Sequence, residues 1–294
     1  MKSTIRTTSA KSTITLDELQ IAWEARIADC GETKKRELRD DTSGITWKSV
    51  FNENRMSRRY LPKKKLIGCL FCNAIKTDES KLATTEYFSI YGNKYPIEPL
   101  HLLLFNDKHK EDPSKEELVA MLSLAKKIPD LRILLSNRLG SGASFPSHFH
   151  VHAFVIELPI VHAANVYKEK NEIFELGILN YPAWTVKMRH KDENKTAELI
   201  DAIIKKFSCP FNIDIIGDDI YIMPRKVEQP LICENLVDGV GALETAGVYS
   251  VISEESLHAL TVRTFTEGLA DAGYSGNRQF QDNFLYYCLE ILKS

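Results

Sequence analysis

The 294-residue sequence lacks an excess of either charge, because 38 Lys and Arg residues face 40 Asp and Glu residues, for a formal net charge of −2. Bulk binding to nucleic acid or to an acidic membrane needs a basic surplus, so neither partner is expected. No apolar run approaches the roughly 20 residues that span a bilayer. Residues 1–12 are polar and lack the apolar stretch of a secretory signal. These absences favour a soluble cytoplasmic protein.

Glycine, proline and cysteine are not abundant either. The 14 Gly and 11 Pro residues are an ordinary share, which excludes a collagenous or broadly disordered chain. Of the six Cys residues, only Cys69 and Cys72 are close in sequence. This distribution indicates reduced thiols with one candidate metal pair, not a disulfide framework. A chain of this length can bury the core of one large domain or of two ordinary ones.

Local patterns predict an α+β fold, in which helices pack against an antiparallel sheet. Thr15 with Glu18, and Ser114 with Glu117, have the spacing of capping boxes at helix starts. The turn at residues 217–219 separates two short apolar runs and predicts a hairpin. The predicted helices are residues 15–31, 114–127, 196–207 and 279–293. The predicted strands are residues 87–91, 100–105, 132–136, 148–157, 212–216, 220–223 and 247–252.

Residues 33–65 form a polar and basic stretch that includes Arg55, Arg58, Arg59 and the run at residues 63–65. The favoured interpretation is a solvated loop. The alternative is a set of arginines folded back over a phosphate.

A similar succession of strands and helices returns after about Lys168, although no short-period repeat is visible. The expected organisation is therefore two related halves. Residues 1–167 form an N-terminal half with the candidate chemistry, and residues 168–294 form a degenerate C-terminal half.

The strongest chemical feature is the run His148-Phe149-His150-Val151-His152. Side chains alternate faces along a strand, so the three imidazoles are expected to share one face while Phe149 and Val151 face the core. Two chemical interpretations follow: a metal site, or a nucleophilic histidine flanked by helpers.

The loop before this strand favours phosphate chemistry. Residues 137–144 are small and polar, with glycines that let backbone N–H groups point at an anion. A histidine trio beside such a loop suits attack on phosphorus better than a metal centre alone, because neutral imidazole is available near pH 7.

Residues 137–152 resemble the signature of the histidine-triad (HIT-like) superfamily. The most similar branch contains galactose-1-phosphate uridylyltransferase, dinucleoside tetraphosphate phosphorylase and the GDP-hexose phosphorylases. Looser similarities extend over residues 95–101, 105–109, 179–182, 221–224 and 243–247. The resemblance implies a HIT-like antiparallel sheet.

The resemblance also implies a nucleotidyltransferase or phosphorylase. In this chemistry His150 attacks the α-phosphorus of a nucleoside diphosphate sugar or dinucleoside polyphosphate and forms a covalent nucleotidyl-histidine. Phosphate or a sugar phosphate then accepts the nucleotidyl group. His148 and His152 complete the catalytic set. The implied substrate-binding residues are Asn137, Arg138, Gly140, Ser141, Gly142, Ala143 and Ser144. No organic cofactor is expected, and a homodimer is compatible with such relatives.

The third triad position departs from this branch, whose transferases often have Gln where this chain has His152. A histidine there can protonate a leaving oxygen, which favours an alternative, a HIT-type hydrolase that passes the same intermediate to water. A length about twice that of simple hydrolases favours the transferase. A catalytically silent nucleotide-binding protein is the third alternative.

The pair Cys69 and Cys72 has the spacing of half a zinc site. Many uridylyltransferases use such a pair together with two histidines. The resemblance therefore implies a structural zinc ion held by Cys69, Cys72, His109 and His148, which would fix the triad strand to the N-terminal segment.

Overall fold

The computed structural model describes residues 14–26, 31–60, 69, 71–73, 80–106, 108–143 and 145–293, without the side chains of residues 57–60 and 190. Two sheets organise these residues. The larger sheet has ten strands in the order β3-β4-β5-β7-β6-β11-β12-β10-β9-β8, and every neighbouring pair is antiparallel. Its strands are β3 (Lys81–Thr84), β4 (Ser89–Gly92), β5 (Leu102–Phe105), β6 (Arg132–Ser136), β7 (His150–Phe154), β8 (Asn165–Lys170), β9 (Phe174–Leu179), β10 (Val186–His190), β11 (Phe211–Ile216) and β12 (Asp219–Pro224).

The smaller sheet joins the two ends of the chain. Strands β1 (Thr33–Arg39) and β2 (Thr46–Asn52) form an antiparallel pair, and β13 (Val248–Ser250) adds to β2 in parallel. The expectation of a solvated loop over residues 33–65 is therefore wrong for its described part. Trp47 and Val50 of β2 are buried, and α2 (Glu53–Tyr60) follows directly. Residues 63–65 lie outside the described residues.

Helices cover both faces of the large sheet. The face that carries the larger core packs against α1 (Leu16–Arg26), α3 (Lys115–Lys127), α4 (Glu193–Lys206) and α8 (Arg278–Lys293). The opposite face packs against β13, α5 (Ala242–Thr245), α6 (Glu254–Ala259) and α7 (Val262–Ala272). The α+β fold class is confirmed. Among the described residues, every helix is too short or too polar to span a lipid bilayer.

Local sequence signals account for several of these elements. The capping boxes form at Thr15 with Glu18 and at Ser114 with Glu117, so α1 and α3 begin where predicted. The hairpin of β11 and β12 also forms, and Gly217 takes the positive φ of 58° that its turn requires. Strand β7 differs from its prediction, because it begins at His150 instead of His148.

The two halves of the large sheet repeat one arrangement. Each half runs through three strands, a helix and two strands, and its fourth strand lies at the centre of the sheet. The halves meet where β6 pairs with β11. We propose that the halves are related, as the sequence predicts. The boundary belongs before Asn165, because a cut at 167/168 divides β8, which pairs with β9.

Asp214 of β11 is an isolated carboxyl group in the core. Its side chain is fully buried, and within the described residues neither carboxylate oxygen receives a hydrogen bond. Burial raises the pKa of Asp214 well above its ordinary value, and the positive charge of Arg225 opposes that rise only in part. The folded protein therefore favours the protonated acid.

The substitution Asp214→Asn keeps the shape of this side chain and removes its ionisation. Because the pKa is raised in the folded state, the contribution of Asp214 to the free energy of unfolding is fully present below the unfolded pKa of about 3.9. Above that pH it loses about 1.4 kcal/mol per pH unit until the pH reaches the folded pKa. We therefore expect the free energy of unfolding of D214N, measured in urea, to rise relative to that of the wild type as the pH increases from 5 to 7. Asp218→Asn, in the exposed turn, is the control, and parallel pH profiles for D214N and wild type would contradict the prediction.

Candidate active site

Two cysteines and two histidines converge beside the start of β7. The ligand atoms of Cys69, Cys72, His109 and His148 all lie within 4.8 Å of one another. The Sγ atoms of Cys69 and Cys72 are 3.3 and 3.4 Å from Nδ1 of His148, and Cys72 Sγ is 3.4 Å from Nδ1 of His109. Tetrahedral zinc, with Zn–S near 2.3 Å and Zn–N near 2.05 Å, places S and N about 3.6 Å apart. The donor set and its spacing fit a closed tetrahedral site.

The orientation of His148 also suits a metal ligand. Its ring is fully buried, and Nε2–H donates to the backbone carbonyl of Asn106 at 3.0 Å. This bond fixes the proton on Nε2, so the Nδ1 lone pair points at the two thiols. Ligating histidines in proteins are commonly held by such a second hydrogen bond. Burial lowers the pKa of His148, which keeps the ring neutral.

A buried carboxylate supports the segment that carries Asn106 and His109. Glu117, in the first turn of α3, is 3 % exposed. It accepts hydrogen bonds from the Asn106 amide and from the backbone N–H of Ser114, and it pairs with the Lys110 ammonium. The carboxylate of the α3 capping box thus also binds the side chains of Asn106 and Lys110.

His150 lies next to this cluster with a defined tautomer. Its Nδ1–H donates to the backbone carbonyl of His148 at 2.9 Å, which leaves the lone pair on Nε2. Burial lowers the pKa of His150 to about 4, so the imidazole is neutral at pH 7. Phe71, between the two cysteines, covers one ring face, with centroids 4.4 Å apart and planes inclined by 32°. The arrangement produces a desolvated, neutral and oriented ring nitrogen.

His152 follows on the same face of β7 and contacts a second buried histidine. Its Nδ1 is 2.8 Å from Nε2 of His101, which is fully buried. Phe149 and Val151 point into the opposite core, as predicted. The strand begins at His150, so the expected alternation of faces along the strand applies to His150 and His152 only. The His148 side chain lies in the Cys/His cluster, and Phe71 contacts both the His148 and the His150 ring.

Asn137 ends β6 beside the predicted phosphate loop. Its Oδ1 accepts the backbone N–H of Phe211 at 2.7 Å. Its Nδ2 is buried and, among the described residues, has no hydrogen-bond acceptor. An amide donor held in this way is suited to an anionic ligand. Arg138 is turned elsewhere, because its guanidinium donates to the carbonyl of Ser208 at 2.8 Å.

The loop after Arg138 is a short 3₁₀ turn, Leu139–Ser141. The N–H groups of Ser141, Gly142 and Ala143 donate to the carbonyls of Arg138 and Leu139, so the turn itself uses these amides. The Ser141 hydroxyl also donates to the Arg138 carbonyl, at 2.6 Å. Their role towards a phosphate stays a prediction. Ser144 lies outside the described residues.

The glycines of this loop are explained by packing. A Cβ on Gly140 would lie 2.8 Å from the Pro210 ring. Gly142 has a φ of +84°, and a Cβ there would lie 2.5 Å from Cα of Gly241. The loop therefore packs against Pro210, which precedes β11, and against Gly241 at the start of α5, so that residues of the second half of the chain contact it.

Sequence reasoning missed three residues of this site. Phe71 lies between the paired cysteines, and nothing in its spacing indicates contact with a histidine 79 positions away. Asn106 acts through its backbone carbonyl, which carries no side-chain signal. Glu117 was recognised only as a helix cap.

Comparison with known proteins supports the fold. Residues 22–155 match a family model described as "Domain of unknown function (DUF4922)", and no curated protein sequence matches. The yeast Ap4A phosphorylase Apa2 in complex with Ap4A is structurally similar, with a TM-score of 0.66 and 14% identity over 88% of this chain and 96% of that chain. The same enzyme in complex with AMP gives 0.63 and 13% over 88% and 95%. The HIT-like fold predicted from the sequence is confirmed.

Two alanine substitutions separate loop packing from backbone strain. Gly142→Ala and Gly217→Ala each place a Cβ at a positive φ, which costs about 1–2 kcal/mol. Only the former also meets backbone atoms, since nothing lies within 4 Å of the latter. We expect G142A to lower the free energy of unfolding more than G217A, as measured by urea denaturation. An equal loss of unfolding free energy in the two variants would show that the loop can move away from Gly241 at little energetic cost.

Proposed function

We propose that the protein is a nucleotidyltransferase of the phosphorylase type, with His150 as its nucleophile. The observation that carries the proposal is the His150 ring: it is neutral, its Nδ1 proton is held by the His148 carbonyl, and its Nε2 lone pair is directed away from that bond. Imidazole in this state is a competent nucleophile towards phosphorus.

The first step forms a bond between His150 Nε2 and the α-phosphorus. The bond from that phosphorus to the bridging oxygen breaks, and the leaving phosphate group departs with the electron pair. In the second step an oxygen of inorganic phosphate or a sugar phosphate attacks the same phosphorus. The N–P bond then breaks and returns its electron pair to Nε2, which restores neutral His150.

The remaining groups position the reactants and neutralise charge. We assign the Asn137 Nδ2 donor and the His152 ring to the non-bridging phosphate oxygens; the buried Nδ2 of Asn137, which has no acceptor among the described residues, supports its part. Donors of this kind contribute about 10²- to 10³-fold each when aimed at developing charge. Gly140, Ser141, Gly142, Ala143 and Ser144 complete the proposed binding loop, without the Arg138 guanidinium, which donates to the Ser208 carbonyl.

The substrate class we favour is a dinucleoside polyphosphate, with a nucleoside diphosphate sugar as second choice. The similar yeast structure is an Ap4A phosphorylase that aligns over 96% of its length, including the second half. Its low identity supports only the fold, so the substrate preference is a proposal. The hydrolase alternative rests on His152 at the third triad position.

We further propose that Cys69, Cys72, His109 and His148 hold a structural zinc ion. The four donors would close a tetrahedral site with no position for substrate. Such an ion would fix the 69–72 segment, and with it Phe71, against the histidines of β7.

Replacement of His150 tests the central assignment. His150→Ala removes the nucleophile, so turnover of Ap4A with inorganic phosphate should fall by at least about 10⁴-fold. Brief incubation of the wild type with Ap4A should leave an acid-labile nucleotide on the peptide containing His150, detected by mass spectrometry. The control is His162→Ala, an exposed histidine paired with Glu157 at 2.9 Å.

Full activity of H150A would contradict the assignment of His150 as the nucleophile. Omission of phosphate separates the alternatives, because a phosphorylase needs it to release nucleoside diphosphate and a hydrolase does not. Tight nucleotide binding without adduct or turnover would identify a silent binding protein.

Metal content tests the zinc site. Wild type should contain close to one zinc per chain by elemental analysis, and Cys72→Ser should lose it and unfold at a lower temperature. The control is Cys209→Ser, which replaces a half-buried thiol outside the cluster. Zinc-free wild-type protein, purified without chelators, would contradict the assignment.

A further inference from the structure

The third triad histidine belongs to a hydrogen-bonded chain that begins at the backbone. The N–H of Ile97 lies 3.2 Å from Nδ1 of His101, and Nε2 of His101 lies 2.8 Å from Nδ1 of His152. His101 is completely buried, with the Phe154 ring 4.2 Å away, centroid to centroid. The chain therefore runs through a site from which water is largely excluded.

The direction of this chain is fixed at its first member. A backbone N–H can only donate, so Nδ1 of His101 accepts and carries no proton. The neutral His101 ring therefore has its proton on Nε2, which donates to His152. Nδ1 of His152 is then an acceptor, and the ring proton of His152 lies on Nε2.

The amide of Asn93 does not reverse this assignment. Its Nδ2 is 3.1 Å from Nε2 and 3.4 Å from Nδ1 of His101. A donor along the lone pair of one ring nitrogen would lie much farther from the other. The nearly equal distances place the amide outside both lone-pair directions, so it packs against the ring while its Oδ1 accepts the N–H of Tyr95.

We propose that His152 acts as a neutral hydrogen-bond donor to the phosphate and not as a general acid, and that His101 is the positioning residue that enforces this state. This inference rests on the proposed function. To become an imidazolium, His152 would need a proton on Nδ1, facing the Nε2–H of His101. That state requires the bond to His101 or the bond from Ile97 to break.

A neutral His152 limits which bonds the site can cleave. Without a proton donor, the leaving group must depart as a stable anion, as the phosphate side of a phosphoanhydride does. Dinucleoside polyphosphates and nucleoside diphosphate sugars meet this requirement, whereas phosphoramidates and alkyl phosphodiesters do not. A neutral N–H donor is also what a glutamine amide would supply, so histidine at this position does not itself favour hydrolysis.

Ionisable groups lie near the pair on its own strand and on the neighbouring segment. The ionisable ring nearest along β7 is His150, with centroids 5.5 Å apart. On the neighbouring segment, the buried carboxylate of Glu98 is paired with Lys35 at 2.8 Å.

Two substitutions at His152 provide the kinetic test, with Ap4A and inorganic phosphate as substrates. His152→Ala should lower kcat by about 100-fold, the scale of one lost oxyanion donor. His152→Gln can accept from His101 and donate through its amide, so we expect it to recover about tenfold of that loss. The pH profile of kcat should keep its wild-type shape. A glutamine variant as slow as the alanine variant, or one that loses an alkaline limb present in wild type, would overturn the proposal.

Nitrogen NMR of protein with ¹⁵N-labelled histidine tests the tautomer without any activity. The signals of His152, assigned by their absence in H152Q, should show a protonated Nε2 and a bare Nδ1 from pH 5.5 to 8. In the His101→Phe variant, which lacks the donor to Nδ1, the His152 ring should instead change its protonation state within this pH range. A wild-type His152 that is doubly protonated in this range, or protonated on Nδ1, would refute the inference even if the wild type turned over no Ap4A. The wild-type spectrum alone decides the question if H101F does not fold.

Discussion

The hydrogen bond from His150 Nδ1 to the backbone carbonyl of His148 is the interaction on which the candidate site depends. One residue serves both centres, because the His148 ring faces Cys69 and Cys72 while its carbonyl fixes the His150 tautomer. A shift of the cluster would therefore move the acceptor that orients the His150 ring. Phe71 forms a second link, since it lies between the cysteines and packs on the His150 ring.

This bond is held in place from farther away by the start of α3. Glu117 accepts the backbone N–H of the N-cap residue Ser114 and also binds the Asn106 amide and Lys110. Asn106 in turn accepts the His148 ring proton. A capping box normally stabilises a helix by about 1 kcal/mol, but here the same carboxylate also binds Asn106, whose carbonyl accepts the hydrogen bond from the His148 ring. Loss of Glu117 would leave buried donors without an acceptor at the edge of the site.

Local signals in the sequence predicted the parts of the fold that depend on neighbouring residues. The capping boxes of α1 and α3, the turn at Gly217 and the alternation along β7 belong to this class. The β1-β2-β13 sheet does not, because β13 pairs with β2 across about 200 residues of chain. Polar β1 was mistaken for a loop, since its pattern has no apolar face. The HIT-like resemblance supplied His109 and His148 as partners of the cysteines, which spacing alone would not have joined.

The pairing of His101 with His152 could not be predicted for a related reason. Both residues are visible in the sequence, but the proton positions depend on the N–H of Ile97, which is a backbone group. The role of a histidine in catalysis is set by the partner of its second nitrogen. Sequence motifs record the ring and not that partner, so acid and neutral donor are indistinguishable until the fold is known.

The second half of the large sheet has the same strand arrangement as the first, but its strand β12 carries an ion-paired carboxylate where β7 carries histidines. Its strand β12 occupies the place that β7 has in the first half, next to the junction strand. Asp219 there is paired with Lys187 and Arg189, at 2.8 and 2.6 Å. These charges satisfy one another, whereas the His148 carbonyl holds only Nδ1 of His150. The proposed reaction needs such a ring, and the first half provides it because a backbone carbonyl can only accept a hydrogen bond and so fixes the proton on Nδ1.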